Sequence, residues 1–175
     1  HSFGIEEPDL DKLEPFIGPP LRDSFMEFYG FTPEQAEKAV AKYRERFQDT
    51  GIFENEVYAG ISEMLKNLQS NGYFLAVASS KPQVYVERIL EHFDLKKYFA
   101  VVVGSELDGR RETKDQVVQE TLNQLFGENP VAPEEVYMIG DRKFDVEGAK
   151  ALGVESVGVT YGYGSKEELK EAKAD

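Results

Sequence analysis

The sequence predicts an α/β fold, in which a small all-helical unit precedes a parallel-sheet core. The first fifty-odd residues contain helical patterns and no convincing strand, whereas from about residue 57 short apolar runs alternate with amphipathic segments. Strands that alternate with helices of about 10–15 residues are joined by right-handed crossovers into a parallel sheet. We therefore expect a helical unit over residues 1–56 and an α/β core over residues 57–175.

The composition narrows the possible classes of function. The chain has 175 residues and a formal net charge of −13, and 41% of its residues are hydrophobic, which is enough for a folded core. So acidic a chain repels phosphate backbones, and it has no apolar run near ~18 residues, so we expect neither a nucleic-acid nor a membrane partner. The lack of cysteine excludes disulfides, thiol catalysis and cysteine-bound zinc, and it fits a cytoplasmic location.

Three helices are expected in the first unit, at residues 9–15, 20–29 and 33–49. The third has the strongest start signal, because Thr32 is a favoured N-cap, a proline follows it in the first turn, and Gln35 completes a capping box. The apolar side chains of this helix share one face at helical spacing. They are Ala36, Ala39, Val40, Tyr43 and Phe47.

The core is expected to contain four strands separated by helices. The run at residues 73–78 is typical of a strand buried on both faces, because apolar residues continue through it without alternation. The other strands are predicted at residues 99–103, 136–139 and 156–159. The helices are predicted at residues 61–68, 82–93, 114–126 and 143–152.

Asp141 and Asp145 are the first candidates for chemistry. Ligands of parallel sheets bind at the carboxyl ends of the strands, and these carboxylates follow the third strand, four residues apart, where a loop turns into a helix. Carboxylate oxygens are hard donors, so one residue can bind Mg²⁺ directly while the other orients a metal-bound water. The alternative is a turn aspartate and a solvated carboxylate on the helix. The pairing of the two favours the metal site.

Two serines and a lysine are the second set of candidates. Ser79 and Ser80 follow the first predicted strand just before a helix, and their hydroxyl and backbone N–H groups suit a phosphate. They would serve equally well as a helix cap, for which serine is preferred. Lys114 lies in the first turn of its helix, where the dipole disfavours a cation. It is either a solvated surface lysine or a cation that neutralises an anion or a group of carboxylates.

Three other features are interpreted as structural. The Glu-Leu-Asp-Gly tract at residues 106–109 looks like a nucleophile loop, but the Gly-Ser pair before it is expected to end the strand, so we interpret the tract as a turn. The Gly-Tyr-Gly-Ser tract at residues 162–165 lacks the third spaced glycine of a dinucleotide site. His92 is interpreted as a packed or surface histidine.

The ordered set of these tracts resembles the haloacid dehalogenase (HAD) superfamily. The set consists of Ser-Ser-Lys-Pro at residues 79–82, then Lys114, then Ile-Gly-Asp-Arg-Lys-Phe-Asp at residues 139–145. The chain looks like the phosphoglycolate-phosphatase and 5′-nucleotidase-like branch, because Ile-Gly-Pro-Pro-Leu at residues 17–21 resembles the cap of that branch. The resemblance covers nearly the whole chain and implies a Rossmann-like HAD core with a helical cap domain over residues 1–56.

The resemblance implies a role for each matched residue. Ser79, with Ser80 beside it, corresponds to the hydroxyl that binds the transferring phosphoryl group, and Lys114 to the lysine that steadies the nucleophile and the phosphate. Asp141 corresponds to the Mg²⁺ ligand, with Asp145 supporting it. A cap loop that chooses the substrate is expected at Pro19, Pro20, Leu21 and Arg22. The guanidinium of the last residue can meet a substrate anion.

One part of the family pattern has no counterpart in the sequence. The resemblance implies a first motif, Asp-x-Asp-Gly-Thr on a strand, which carries the aspartyl nucleophile, and no Asp-x-Asp-Gly occurs here. We expect this strand and a closing segment to lie outside the sequence, and we interpret residues 1–4 as the end of a helix. In the family, that strand lies between those at residues 73–78 and 136–139, so we expect these two strands to face a gap. Without the aspartyl nucleophile, we expect the chain to be inactive by itself.

The resemblance implies an Mg²⁺-dependent phosphatase. Such an enzyme would hydrolyse a small phosphomonoester, phosphoglycolate or nucleotide-like, through an aspartyl-phosphate intermediate. A sugar-phosphate mutase similar to β-phosphoglucomutase is a nearby alternative, and a non-catalytic phosphate- or metal-binding fragment is an alternative from another class. The expected partner is a small phosphorylated metabolite, and the expected state is a monomer or a homodimer.

Overall fold

Parallel strands alternate with helices after the first two long helices, which confirms the predicted fold class. The structure is a computed structural model that describes residues 3–127 and 135–175, so the first two residues of the helix end expected at residues 1–4 lie outside the described residues. In those two ranges, no helix is long and apolar enough to cross a lipid bilayer. The helices are α1 (Leu21–Tyr29), α2 (Pro33–Phe47), α3 (Ile61–Ser70), α4 (Gln83–His92), α5 (Lys114–Phe126), α6 (Lys143–Ala151) and α7 (Lys166–Glu171). The strands are β1 (Ala76–Pro82), β2 (Val101–Ser105), β3 (Tyr137–Gly140) and β4 (Glu155–Gly158), and short 3₁₀ helices cover Leu10–Phe16, Gly51–Phe53 and Lys96–Tyr98.

Helix α2 begins as its sequence predicts. The Thr32 hydroxyl accepts a hydrogen bond from the Gln35 backbone N–H at 3.3 Å, and the Gln35 side chain accepts one from the Thr32 backbone N–H at 2.9 Å. This capping box satisfies two backbone donors that the first turn leaves without partners. Of the predicted apolar face, Ala36, Ala39 and Val40 are buried. The remaining two residues, Tyr43 and Phe47, reach a cleft instead of the core.

The strands form two separate parallel pairs. β1 pairs with β2, and β3 pairs with β4. No ladder joins β1 to β3 in the part of the chain that the structure describes, as the family resemblance implies for these two strands. Helix α5 contacts β1, β2 and α6, and α6 in turn contacts β3 and β4. The two pairs are therefore held together by helix packing.

The ends of β1 and β2 differ from those predicted. β1 begins at Ala76 and includes the Ser-Ser-Lys-Pro tract, whereas residues 73 and 74 precede it and are 63% and 80% exposed. β2 continues through Gly104 and Ser105, so the prediction that these two residues end the strand is wrong. A Cβ on Gly104 would lie 2.5 Å from the backbone of Gln83, so the glycine allows a close contact with the start of α4 and does not break the strand.

The burial predicted for β1 is also wrong. Its residues are half-buried or exposed, and none is fully buried. β3 alternates, with Tyr137 and Ile139 exposed and Met138 and Gly140 half-buried. Helix α6 contacts β3, whereas both α4 and α5 contact β1, and in the described residues each of the two strands pairs along one edge only. A run of apolar side chains does not by itself show that both faces are covered.

Helix α7 closes the described chain against the sheet and was not predicted. The Ser165 hydroxyl caps it by accepting a hydrogen bond from the Glu168 N–H at 3.0 Å. Beyond the helix, the Asp175 carboxylate accepts hydrogen bonds from the backbone N–H and the hydroxyl of Ser156, which lower the pKa of that carboxyl. These contacts attach the end of the chain to β4.

Candidate active site

A cleft of about 830 Å³ lies where β1 and β3 end, beneath the helical N-terminal region. Its walls include all of the residues predicted from the sequence, although these lie far apart in the chain. The predicted residues that line it are Pro19, Pro20, Leu21, Arg22, Ser79, Ser80, Lys114, Asp141 and Asp145. The structure thus brings the predicted phosphate, metal and cap-loop residues to one place.

Lys114 and Asp145 form an ion pair at the floor of this cleft. The Lys114 Nζ lies 2.9 Å from Asp145 Oδ1, and the two side chains are only 13% and 11% exposed. The same ammonium donates a hydrogen bond to the Ala78 carbonyl at 3.2 Å. Of the two alternatives for Lys114, the structure therefore excludes the solvated surface lysine. The lysine joins α5, β1 and α6 at the point where β1 enters the site.

Two glycines make room for this ion pair. A Cβ on Gly148 of α6 would lie 2.5 Å from Lys114 Cγ, and one on Gly140 would lie 2.2 Å from Asp145 Cβ. Real side-chain atoms do not approach so closely, so both positions require glycine for packing. The sequence carried no local signal for either contact, because each joins segments that are distant in the chain or lie on different elements.

The Asp145 carboxylate has both oxygens occupied by protein groups. Besides the ion pair through Oδ1, its Oδ2 accepts a hydrogen bond from the Arg142 backbone N–H at 3.1 Å. The residue is buried. It therefore fixes the loop that begins at Asp141, and because each carboxylate oxygen keeps a second acceptor site, Asp145 can still accept a hydrogen bond from a metal-bound water.

Asp141 has a free oxygen and is enclosed by a glycine-rich turn. Its Oδ2 accepts a hydrogen bond from the Tyr163 backbone N–H at 2.8 Å, whereas its Oδ1 has no hydrogen-bond partner among the described residues. A Cβ on Gly162 would lie 2.2 Å from Asp141 Oδ2, and one on Gly164 would lie 1.9 Å from the Asp141 carbonyl oxygen. The tract that we interpreted only as a poor dinucleotide motif thus holds the predicted metal ligand. The sequence signal for this role was the position of the tract directly after the last strand, because parallel strands end at the edge of the fold where the site lies.

The donors around Asp141 are compatible with Mg²⁺. In residues 3–127 and 135–175, no group of three or more His, Cys, Asp or Glu side chains could hold a metal ion. Mg²⁺ keeps several waters and commonly uses only one or two carboxylates together with substrate phosphate oxygens. A single hard oxygen at Asp141 Oδ1 fits this pattern, and a site built entirely from protein ligands does not.

Ser79 presents a hydroxyl whose proton is available. Its Oγ accepts a hydrogen bond from the Lys81 backbone N–H at 3.2 Å, so the hydroxyl can still donate to a ligand. The Ser80 carbonyl accepts a hydrogen bond from the Ser105 hydroxyl at 2.8 Å, which holds the end of β1 against β2. The N-cap of α4 is Pro82, without a side-chain cap. The helix-cap alternative for these serines is therefore excluded.

The predicted cap loop is attached to the rest of the site by Arg142. The guanidinium donates to the Ile17 carbonyl, and its Nε lies 2.9 Å from Glu168 Oε1. Burial tends to raise the pKa of Glu168, but hydrogen bonds from Arg142 and from the Lys143 N–H, with the charges of both side chains, lower it overall. Gly18 packs against Arg142 with a φ of +117°, which favours glycine. Arg22 itself is occupied by an ion pair with Glu37 at 3.0 Å.

The remaining interpretations concern residues around the cleft. The tract at residues 106–109 is a turn, as predicted, closed by a hydrogen bond from the Gly109 N–H to the Glu106 carbonyl at 3.3 Å. His92 packs its ring 4.5 Å from that of Phe53, as predicted for a structural histidine. Sequence reasoning missed four further residues of the cleft wall, which are Tyr43, Phe47, Lys81 and Tyr85.

Comparison with known proteins gives one family, whose members have names that state different activities. A family model described as haloacid dehalogenase-like hydrolase matches residues 1–159. A 5′-nucleotidase of Pseudomonas aeruginosa is 47% identical over 168 residues, which are 96% of this chain and 74% of that protein. The tyrosine-protein kinase PtkA of Mycobacterium tuberculosis is 37% identical and a phosphoglycolate phosphatase of Vibrio vulnificus 33% identical, over 94% and 82% of this chain. The chain spans 54% and 63% of the length of these two relatives.

A solved structure agrees with the sequence matches. The crystal structure of a predicted phosphatase from Clostridium acetobutylicum superimposes with a TM-score of 0.94 at 47% identity. The match covers 99% of this chain and 78% of that one. The two separate strand pairs and the helical N-terminal region therefore follow the architecture of a known fold.

Proposed function

Because the chain belongs to the haloacid dehalogenase-like hydrolase family, we propose that it provides the phosphate- and metal-binding part of an Mg²⁺-dependent phosphatase. The substrate would be a small phosphorylated metabolite. The observation that carries the proposal is the meeting of Ser79, Lys114 and Asp141 in one cleft at the ends of β1 and β3. A hydroxyl donor, a cation and a carboxylate with a free oxygen are together what a phosphomonoester and its metal ion require.

Each residue has a defined task in this proposal. The Ser79 hydroxyl donates a hydrogen bond to an oxygen of the transferring phosphoryl group, and Ser80 contributes from the adjacent position on β1. The Lys114 ammonium, which Asp145 holds in place, offsets negative charge on the phosphoryl oxygens as it increases in the transition state. These groups are fixed before the substrate arrives, so little reorganisation is needed during the reaction.

Asp141 is the residue that would hold Mg²⁺. Its free Oδ1 is the donor, while the hydrogen bond from Tyr163 orients the other oxygen and Asp145 keeps the loop in shape. When bound, the ion supplies a positive charge that offsets charge on the phosphoryl oxygens. Both the metal dependence and the assignment of Asp141 are part of the proposal.

The proposal also requires a carboxylate nucleophile, which we place on a further strand between β1 and β3. A carboxylate oxygen attacks phosphorus in line, the bond from phosphorus to the leaving oxygen breaks, and that oxygen takes a proton to become an alcohol. Water then attacks the phosphorus of the aspartyl phosphate, which releases inorganic phosphate and restores the carboxylate. The support for this placement is that β1 and β3 end at the same cleft without pairing in the described residues.

The helical residues 1–56 serve in this proposal as a cap domain over a core of residues 57–175. The loop at Pro19, Pro20, Leu21 and Arg22 then lies above the phosphate site and takes part in substrate choice. Phosphoglycolate and nucleoside monophosphates are the substrates that the names of two relatives suggest. A cytoplasmic location and a monomeric or homodimeric state stay predictions.

Release of inorganic phosphate from p-nitrophenyl phosphate tests this function. We expect Mg²⁺-dependent release by the full-length protein, loss of release on chelation, and loss in Asp141→Asn while the fold is retained. Asp49→Asn is the matched control, because Asp49 is exposed and lies outside the cleft. Near-normal turnover by Asp141→Asn at ordinary Mg²⁺ would contradict the metal role, and no turnover of any phosphomonoester would favour a non-catalytic binding domain.

A further inference from the structure

Four residues that the proposed chemistry does not use meet at one part of the cleft wall. Phe47 lies at the centre, with the ring of Tyr43 stacked on it at 5.1 Å and the ring of Tyr85 against its edge at 5.3 Å. The Nζ of Lys81 lies 4.6 Å from the centroid of the Phe47 ring. All four residues line the cleft. We call this group, Tyr43, Phe47, Lys81 and Tyr85, the Phe47 corner.

Lys81 differs from the other cations of the cleft because, among the described residues, no polar group binds its ammonium. Ion pairs occupy three of them: Arg22 with Glu37, Lys114 with Asp145, and Arg142 with Glu168. Arg44 donates to the Leu107 carbonyl at 3.4 Å. Among the described residues, the Lys81 ammonium has neither a hydrogen bond nor an ion pair, and only the ring of Phe47 faces it. Two cations of the described cleft wall, Arg44 and Lys81, thus have no acid partner, although acidic residues outnumber basic ones 33 to 20 in the sequence, and of these two only Lys81 also lacks a hydrogen bond.

The environment makes this unpaired charge unfavourable in the free protein. Lys81 is exposed to solvent at the cleft, but the neighbouring protein partly desolvates its ammonium and so lowers its pKa. A lysine on the outer surface of the protein would have avoided that cost. A charge kept in such a place is explained if a ligand supplies its counter-charge.

Two phenol hydroxyls add further donors at the same corner. Neither the Tyr43 nor the Tyr85 hydroxyl makes a hydrogen bond within the described parts of the chain. Tyr43 is 40% exposed, and the Tyr85 hydroxyl reaches solvent although the rest of that residue is almost completely buried. Burial and, to a smaller extent, the nearby Tyr85 raise the pKa of Tyr43, so this phenol stays protonated and can donate at neutral pH. Both hydroxyls are thus free to donate into the cleft, and together with an ammonium that has no acid partner they form a group of donors suited to an acceptor-rich ligand.

We propose that the Phe47 corner binds a second acidic group of the substrate, a carboxylate or a phosphate on the leaving-group side. The inference rests on the proposed phosphatase function and narrows its substrate class. Lys81 would supply the counter-charge, and Tyr43 and Tyr85 would donate hydrogen bonds. A nucleoside monophosphate has only one acidic group, so the corner favours phosphorylated short acids and short bisphosphates over nucleotides.

The spacing along β1 sets the size of such a substrate. Ser79 and Lys81 are two residues apart where the register of β1 shifts, so their Cα atoms are separated by at most roughly 7 Å, the spacing of a regular strand. A phosphoryl group at Ser79 and an acid at Lys81 are therefore joined by a chain of only a few atoms. The inferred substrate is a compact molecule with an acid at each end.

Calorimetric binding of matched phosphonates tests the inference without requiring turnover. Phosphonoacetate and ethylphosphonate differ only in a carboxylate against a methyl group, and methylenebisphosphonate carries a second phosphonate at the same position. We expect the wild-type protein to bind one of the two diacids roughly 10- to 100-fold more tightly than ethylphosphonate, the range typical of hydrogen bonds to a charged group. The diacid that is favoured distinguishes a carboxylate from a phosphate.

Variants assign the effect to the Phe47 corner. Lys81→Met should remove the advantage of the diacid, Lys81→Arg should retain part of it, and Tyr43→Phe should reduce it. Lys66→Met is the matched control, because Lys66 is exposed on α3 outside the cleft and should leave the advantage intact. Equal wild-type binding of all three phosphonates would overturn the inference, as would an advantage that survives in Lys81→Met.

Turnover separates this inference from the proposed function. If the protein hydrolyses p-nitrophenyl phosphate but shows no preference for 2-phosphoglycolate over ethyl phosphate, the phosphatase function stands and the role of the corner is wrong. If the diacid advantage in binding is present but no phosphomonoester is hydrolysed, the Phe47 corner binds an acidic group as inferred and the proposed reaction is wrong.

Discussion

Replacing Lys114 should destabilise the protein strongly, because it removes one partner of a buried ion pair. At 2.9 Å and an effective dielectric constant of about 20, the Lys114–Asp145 attraction is about 6 kcal/mol before desolvation is counted. Removing one partner of such a pair typically costs about 3–5 kcal/mol, since the other charge is left buried. The substitution also removes the unfavourable interaction of Lys114 with the helix dipole in the first turn of α5, which offsets about 0.3–1 kcal/mol of this loss. We therefore expect Lys114→Met to lose about 2–4 kcal/mol, a large share of the ~5–15 kcal/mol typical of a domain.

Urea unfolding at pH 7 measures this loss, and a second ion pair gives the matched control. Lys38 lies 2.7 Å from Glu34, but the two side chains are 66% and 80% exposed, so Lys38→Met should cost no more than about 1 kcal/mol. In the double variant Lys114→Met/Asp145→Asn, the buried charge is gone, so the loss should be smaller than the sum of the single losses. Equal effects of the two lysine substitutions, or strict additivity in the cycle, would refute the reasoning. Considering the helix dipole alone leads to the opposite expectation, a small loss or even a gain, because Asp145 is not visible as a partner in the local sequence.

Two further predictions concern the loops around the cleft. Gly162→Ala should cost about 1–3 kcal/mol in urea unfolding and weaken Mg²⁺ binding, because its Cβ would lie far inside van der Waals contact with Asp141 Oδ2. Gly51→Ala is the control, because its Cβ would come no closer than 3.3 Å to a neighbouring side chain, and an equal effect of both would contradict the prediction. Glu168→Gln should destabilise the protein by about 1–2 kcal/mol at pH 7, because it removes the charge that the lowered pKa of Glu168 shows to be stabilised in the fold. This stabilisation is fully present above the pKa of the unfolded state, about 4.3, and is lost as the pH falls through the lower pKa of the folded state. The difference between wild type and variant should therefore shrink on acidification, and a difference that is constant from pH 7 to pH 3 would contradict this.

Local signals were sufficient for helices α1 to α6 and for the main candidates of the site. The capping box at Thr32 and the start of α5 at Lys114 were both predicted and are both observed. Residues after β3 could be identified because parallel strands end at a common edge. These predictions succeeded because each depends on residues that are close in the chain or on a rule about strand ends.

Contacts between distant segments could not be predicted in the same way. The glycines of the turn after β4 look like a weak nucleotide motif until Asp141 is seen packed against them. Gly104 looks like a strand end because its close neighbour, Gln83, belongs to another element. The exposure of Tyr73 was missed since apolar character predicts burial only where another element covers the residue. In each case the deciding partner lies elsewhere in the fold.

A crystal structure with tungstate and Mn²⁺ bound would test most directly the claim that Ser79, Lys114 and Asp141 form one phosphate and metal site. Both ions can be located by anomalous scattering, tungstate as a phosphate mimic and Mn²⁺ in place of Mg²⁺. The account predicts tungstate oxygens about 2.7–3.2 Å from Ser79 Oγ and Lys114 Nζ, with Mn²⁺ bound to Asp141 Oδ1 beside it. Tungstate and Mn²⁺ bound outside the cleft, with these three side chains unengaged, would contradict it.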